Sequence, residues 1–459
     1  MILLRFRVEN HRSLQDEAEL SLVRSSLTTV RPRDGDWVSA TTRVAGIYGA
    51  NASGKSTVVE AFKFFRTTII ESATSWSLRK KLPQEPFLLD PDAKNSPSSY
   101  SVDFVLADVR YQYGFEIDER AVRQEWLYDY PSAKHRVLFE RDDHEFRFGR
   151  ALLGAPRRHA SATGERELFL SKAKSNGHEL LGMLWSALTE SLVVADFSEQ
   201  DRRLRLDQIT EGIAEGIIDL GDVTTLLRVA DIGIADVALD EAEGDGSVAE
   251  YLERLIARHE VRAAERPQAP WADSSWILYR AREATSQEQE LVQRALMFQH
   301  TGHNGTFPLP LDAQSTGTLS WLSLALPALT ILRDGGVLVV DEIDASLHPQ
   351  LSQVILRMFK DPDYNRTGAQ LVFTTHDTYL LSNQSDSVLA PEETWFTEKD
   401  RNGATSLFSL ADFPTREGQN YAKRYLDGRY GAVPRTARSL LATLLDATTG
   451  PDPKETADA

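Results

Sequence analysis

Apolar residues fall into two recurring patterns along this chain: short uninterrupted runs, and longer stretches at helical spacing. Val44-Ala45-Gly46-Ile47-Tyr48 is a mostly apolar run closed by Gly49. Val337-Leu338-Val339-Val340 and Leu371-Val372-Phe373 are two more. Runs of this length without alternation predict strands covered on both faces. Thr57 to Phe65, directly after the first run, repeats apolar residues as a helix does. Residues 1–8 and Leu20 to Val23 predict two further strands. Tyr100 to Leu106 and Tyr111 to Ile117 alternate around a tight polar turn, which predicts an antiparallel pair and hence a mixed sheet. From about 165 to 300 the texture changes. Helical patterns such as Glu179 to Trp185 and Glu250 to Leu255 are broken by polar stretches, Glu241 to Ser247 and Arg266 to Ser275. The expected organisation is one α/β domain interrupted by a mostly helical insertion. Its N-terminal part is 1–165, the insertion 166–300, the C-terminal part 301–448, and 449–459 a polar, disordered tail.

Length and composition narrow the classes. A chain of 459 residues exceeds one ordinary core, which agrees with a domain carrying a large insertion. The 41% hydrophobic and 26% charged fractions exclude wholesale disorder. No run of eighteen apolar residues occurs, so no membrane span is expected. Charges at Arg5, Arg7 and Glu9 break the opening segment as a signal peptide, leaving a cytoplasmic address as the default. The absence of cysteine removes disulfides, thiolate catalysis and cysteine zinc sites together. A net charge of −17 argues against non-specific coating of nucleic acid and leaves room for a local basic groove. Lys423 to Arg438 carries five basic residues against Asp427. It suits nucleic acid or a partner protein, with a solvated helix face as an equal alternative.

The candidate chemistry starts at Gly49-Ala50-Asn51-Ala52-Ser53-Gly54-Lys55-Ser56, a glycine-bounded loop between a predicted strand and a predicted helix. Backbone N–H groups of such a loop turn inward around phosphates, and the helix N-terminus adds positive partial charge. Gly49 and Gly54 permit the chain path, Lys55 reaches β- and γ-phosphates, and the Ser56 hydroxyl binds Mg²⁺. Asn51, Ser53 and Thr57 complete the nucleotide-binding candidates. Asp341-Glu342 ends another buried run. Asp341 there holds Mg²⁺ and Glu342 acts as general base on the attacking water; an exposed acidic turn is the bland alternative. His376 closes the run Leu371 to Thr375, where it contacts the γ-phosphate or orients the water. A purely structural histidine is its alternative.

Taken in order, these motifs resemble the ABC-type ATPases of the RecF, SMC and OLD group. Val8-Glu9-Asn10-His11-Arg12-Ser13-Leu14 is similar to that group's opening "N-F-R-S-F" turn, with His11 in place of phenylalanine. Ser315-Thr316-Gly317-Thr318 before an apolar helix resembles the ABC signature, with Gln314 where leucine is usual; a polar turn capping a helix is the alternative. Asp341 to Pro349 resembles Walker B with the D-loop, and Thr374-Thr375-His376-Asp377 the switch-histidine loop. The late segment is similar to the Rlo-type AAA ATPases found beside anti-phage genes, at Trp395 to Lys399, Ser409 to Phe413 and Tyr425 to Pro434. The resemblance covers about 1–130 and 300–435. It implies an α/β P-loop NTPase of ABC type that uses ATP and Mg²⁺. Two copies would sandwich nucleotide, Ser315 and Gly317 of one capping the phosphates held by the other. A homodimer or higher homo-oligomer is therefore expected. Arg12 would approach the nucleotide from the opening turn, and Gln84 is a candidate for the coupling glutamine. Two roles remain open: an ATPase regulating a nuclease or toxin encoded nearby in anti-phage (antiviral) defence, or an ATP-gated DNA clamp in repair. No nuclease motif is visible beside the ATPase motifs, which favours a separate effector.

Overall fold

The buried strand that leads into the phosphate loop organises the architecture. In the computed structural model, β3 (Val44–Gly49) is buried along its whole length, so it needs packing on both faces. The structure describes residues 1–76, 79–132, 134–230, 233–243, 292–303, 305–345, 347–382, 388–416 and 418–433. β3 lies in a six-stranded sheet. β9 (Leu192–Ala195), β13 (Val337–Val340), β14 (Gln370–Thr374), β3 and β15 (Thr394–Lys399) run parallel in that spatial order. β16 (Thr405–Ser409) closes the edge antiparallel to β15. Side chains alternate across the sheet. Ala45, Ile47, Val337, Val339 and Val372 enter one core, whereas Val44, Tyr48, Leu338, Val340, Leu371 and Phe373 enter the other.

The first core is closed by α1 (Lys55–Glu71) and a second sheet. That sheet is antiparallel throughout, in the order β2 (Ala18–Ser21), β1 (Ile2–Glu9), β4 (Ser98–Leu106), β5 (Val109–Ile117), β6 (Val122–Asp129), β7 (Arg136–Asp142), β8 (Glu145–Phe148). Aromatic rings bind it to α1: Phe6 stacks on Phe62 with centroids 3.8 Å apart, and Phe65 on Phe115 at 5.6 Å. Short helices α2 (Pro91–Asn95) and α3 (Pro156–Ala160) lie in the connections, and α4 (Phe169–Ser175) and α5 (Glu179–Glu190) join the same core. The second core is covered by α6 (Glu199–Ala214), α7 (Leu220–Val229), α8 (Thr316–Asp334), α9 (Pro349–Lys360) and α10 (Tyr421–Leu426). Trp321 of α8 is fully buried there and donates its indole N–H to the Leu226 carbonyl at 2.8 Å. A small antiparallel sheet, β10 (Ile234–Glu243), β11 (Val292–Gly302) and β12 (Gly305–Pro310), precedes α8.

The core sheet is mixed, as the sequence suggests, but through β16. The hairpin at 100–117 that prompted the expectation belongs to the other sheet as β4 and β5. The span 166–300 is helical in α4 to α7, yet it also supplies β9 to the core sheet, as well as β10 and β11. Leu192-Val193-Val194-Ala195 is too short a run to be told from flanking helix by periodicity, and only its pairing with β13 identifies it. Trp185 packs beside the first core and donates to the Ile69 carbonyl at 3.0 Å. The helical pattern at Glu250 to Leu255, Trp271, Trp276, Ser346 and the tail 449–459 lie outside the described residues.

Candidate functional site

Space, more than flexibility, requires glycine at the start of the loop. A Cβ on Gly49 would stand 2.4 Å from Ser53 Oγ and 2.5 Å from Thr397 Oγ1. At the other end Gly54 has φ 107°, and a Cβ there would lie 2.4 Å from Thr405 Oγ1. Both threonines come from the β15–β16 hairpin, which holds the loop from behind. Ser53 Oγ and Thr397 Oγ1 are 2.7 Å apart, and Thr405 Oγ1 lies 2.9 Å from both the Ser53 carbonyl and Ser13 Oγ. Ser13 Oγ in turn meets Thr57 Oγ1 at 3.1 Å. α1 begins at Gly54 with no side-chain cap and no acid in its first turn. Its first N–H groups therefore remain available to an anion in front of the loop.

Lys55 is only 5% exposed, and its ammonium donates to the Gly49 carbonyl at 2.9 Å and the Ala50 carbonyl at 3.2 Å. Burial lowers its pKa, and the charges of Glu342, Asp341 and Asp344 oppose that shift. Those acids follow β13. Thr374 at the end of β14 orders the pair: its hydroxyl donates to Asp341 Oδ1 at 2.6 Å and accepts from the Glu342 N–H at 2.7 Å. Glu342 is held at φ 53°, a left-handed conformation that a non-glycine residue seldom adopts without surrounding constraint. His376 follows β14 in an exposed position.

These pieces meet in one cleft of about 650 Å³, lined by Asn51, Ala52, Gly54, Lys55, Ser56, Thr57, Glu342, His376 and Lys399. Ser53 lies behind the wall, and Asp341 is anchored next to Glu342 by Thr374. The site suits a nucleotide polyphosphate: a glycine cradle that a Cβ would fill, an uncapped helix N-terminus and a buried ammonium. The exposed Ser56 hydroxyl and the Asp341 carboxylate are oxygen donors of the kind Mg²⁺ takes, and that ion needs few protein ligands.

Other expected residues stand elsewhere. Ser315 caps α8, accepting from the Thr318 N–H at 3.1 Å; it is exposed, and neither it nor Gly317 lines this cleft. Arg12 does not line it either. Its guanidinium is engaged by Glu85 and, at 3.2 Å, by Glu60 of α1, so two carboxylates fix the group that was expected at the nucleotide. Gln84 is turned to the Ser96 carbonyl at 2.9 Å and the Ser98 hydroxyl at 3.1 Å. Sequence reasoning missed Lys399 as a cleft residue. It also missed Thr397 and Thr405, because nothing within Thr394 to Thr405 shows that β15 lies against β3.

Among the described residues no helix is long and apolar enough to cross a membrane. No curated protein matches the chain in sequence. Among solved structures, the chain is similar to the SMC head domain from Thermotoga maritima, at 12% identity and a TM-score of 0.37, over 89% of this chain and 99% of that one. An SmcHead bound to the C-winged helix domain of ScpA matches at 12% identity and a TM-score of 0.38, over 89% and 97%. An Smc head domain with an extended coiled coil, bound to the C-terminal domain of ScpA derived from Pyrococcus furiosus, matches at 13% and 0.36, over 89% and 96%. Likeness at this level says nothing about what this chain binds. The family model described as "AAA domain, putative AbiEii toxin, Type IV TA system" matches residues 44–382, from β3 through β14 and the turn after it. That span is well over half of the sequence and contains the phosphate loop, Glu342 and His376, and the chain belongs to this AAA-domain family of P-loop proteins.

Proposed function

We propose that this protein is an ABC-type ATPase that binds and hydrolyses ATP with Mg²⁺, closes as a homodimer around the nucleotide, and thereby regulates a partner effector in anti-phage defence. One observation carries the reading: the ends of β3, β13 and β14 bring the phosphate loop, Glu342 and His376 to a single cleft. Magnesium, held by Ser56 and Asp341, would neutralise charge on the phosphate oxygens. The chain's own groups do the rest. Lys55 and the first N–H groups of α1 bind the phosphates. Glu342 takes the proton of the attacking water, oriented by its fixed backbone and the Thr374 hydroxyl. His376 donates toward the terminal phosphate or orients the same water.

The position of the signature supports the proposed dimer. Ser315 and Gly317 sit at the N-terminus of α8 away from their own cleft, and an exposed helix N-terminus is suited to cap phosphates held by another copy. The defence role is supported by the words "putative AbiEii toxin, Type IV TA system" in the family's description and by the late segment's similarity to Rlo-type ATPases. The test is ATP turnover with and without duplex DNA, together with molecular mass in ATP, for wild type and Glu342→Gln. The expected result is turnover in wild type, none in the variant, and an ATP-dependent dimer that persists in the variant. A variant that binds ATP yet stays monomeric would overturn the sandwich. Stimulation by DNA would favour the clamp reading over a protein effector.

A further inference from the structure

We infer that Lys399, at the end of β15, is a second phosphate-binding cation of this cleft and contacts the β/γ end of the bound nucleotide; the inference rests on the ATPase reading above. The residue lies beyond the segment matched by the family model, which ends at 382. Its position follows from strand register. β15 runs parallel to β3 with Thr397 opposite Gly49, the last paired residues before the phosphate loop, and Lys399 ends β15 two residues beyond that pair. Residues two apart on a strand share a face. Thr397 uses that face to reach Ser53 Oγ at 2.7 Å, inside the loop. Lys399 is one pleat further along, clears the loop, and lines the cleft with Asn51, Ala52 and Lys55.

The rest of the hairpin makes this placement rigid at the backbone. Lys399 pairs with Thr405, whose N–H donates to the Ser13 carbonyl at 2.7 Å and whose hydroxyl meets the Ser53 carbonyl. A Cβ on Gly54 would strike the same threonine. The strand end and the phosphate loop are thus one packed unit, while the Lys399 side chain itself is exposed. Among the described residues its ammonium has no hydrogen-bond or ion-pair partner in the protein. Lys55, by contrast, is buried and already bonded to the Gly49 and Ala50 carbonyls. A polyphosphate entering this cleft meets one enclosed ammonium at the loop and one exposed ammonium on the neighbouring strand. A compact point charge on a flexible stem is suited to phosphate oxygens, which need no fixed planar geometry.

The experiment measures equilibrium binding of ATP, ADP and AMP to wild type, Lys399→Ala, Lys399→Arg and Lys55→Ala, at low and high salt. Lys399→Ala is expected to weaken ATP about tenfold, ADP less and AMP not at all. The difference should shrink at high salt, and Lys399→Arg should restore most of it. Equal loss for AMP and ATP would place the contact at base, ribose or α-phosphate and overturn the proposal. Unchanged ATP affinity in Lys399→Ala, with affinity lost in Lys55→Ala, would overturn it and leave the ATPase reading standing. Unchanged affinity in Lys55→Ala would instead remove the phosphate-cleft reading itself. Because Lys399 is exposed, loss of fold is not expected, and circular dichroism of each variant checks this.

Discussion

Single residues set the chemistry of the cleft through very local bonds. The Thr374 hydroxyl donates to the Asp341 carboxylate and accepts from the Glu342 backbone N–H, so removing it loosens one carboxylate and the backbone that aims the other. Thr374→Val should therefore cut turnover by about ten- to a hundredfold while ATP affinity changes by less than about threefold, which steady-state kinetics beside equilibrium binding would show. His11 carries a different prediction. It is 1% exposed, its Nδ1 shares a hydrogen bond with the Tyr100 hydroxyl at 2.9 Å, and its pKa is pushed down to about 3 by burial and then by the Arg12 charge. The folded value lies below the unfolded one of ~6.5, so the native state refuses a proton that the unfolded chain accepts. Stability is accordingly lost as pH falls from about 6.5 toward 3, by ~2 kcal/mol between pH 7 and pH 5 from this group. His11→Phe should abolish that part of the acid sensitivity, at the cost of the Tyr100 bond at neutral pH. Denaturant midpoints of both proteins at pH 7 and pH 5 measure it, and parallel losses in the two would show that His11 is not the titrating group.

At the scale of elements, the phosphate loop is as much a product of β15 and β16 as of its own sequence. The loop's glycines were readable as a motif, because their spacing is contiguous. That Gly49 and Gly54 face Thr397 and Thr405 was not readable, because some 350 residues of chain separate the partners. Gly54→Ala combines a left-handed backbone with a Cβ driven into Thr405. It should cost about 2–4 kcal/mol of stability, the sum of an αL penalty and local overpacking. Chemical denaturation checks the figure, and a loss under ~0.5 kcal/mol would mean that the hairpin does not hold the loop. Arg12 teaches the converse. An arginine next to a glycine-free turn looks free to reach a ligand, but α1 presents Glu60 and the 85–87 segment presents Glu85 beside it.

For the whole molecule, Ser315 lies outside its own cleft, and the proposed dimer would make activity a property of two chains. Lys55→Ala and Ser315→Arg should each abolish turnover alone. Mixed in equal amounts they should recover roughly a quarter of wild-type turnover, since half of the dimers would be mixed and each would hold one intact composite site. No recovery, with ATP-dependent dimers present, would mean that the signature does not act across the interface. The sequence by itself determined the parts whose chemistry is local: the glycine-bounded loop before a helix, the acids and the histidine that end buried strands, and the α/β class set by apolar runs alternating with helical spacing. Tertiary structure alone decided which distant segments meet. It placed β9 at the edge of the core sheet, put the predicted hairpin in a second sheet, paired Arg12 with Glu60 and Glu85, and brought Lys399 to the cleft. For the strands the physical reason is shared. Strand order and register are settled by which apolar faces bury against each other over the whole fold, and a strand's own sequence carries no record of its neighbours.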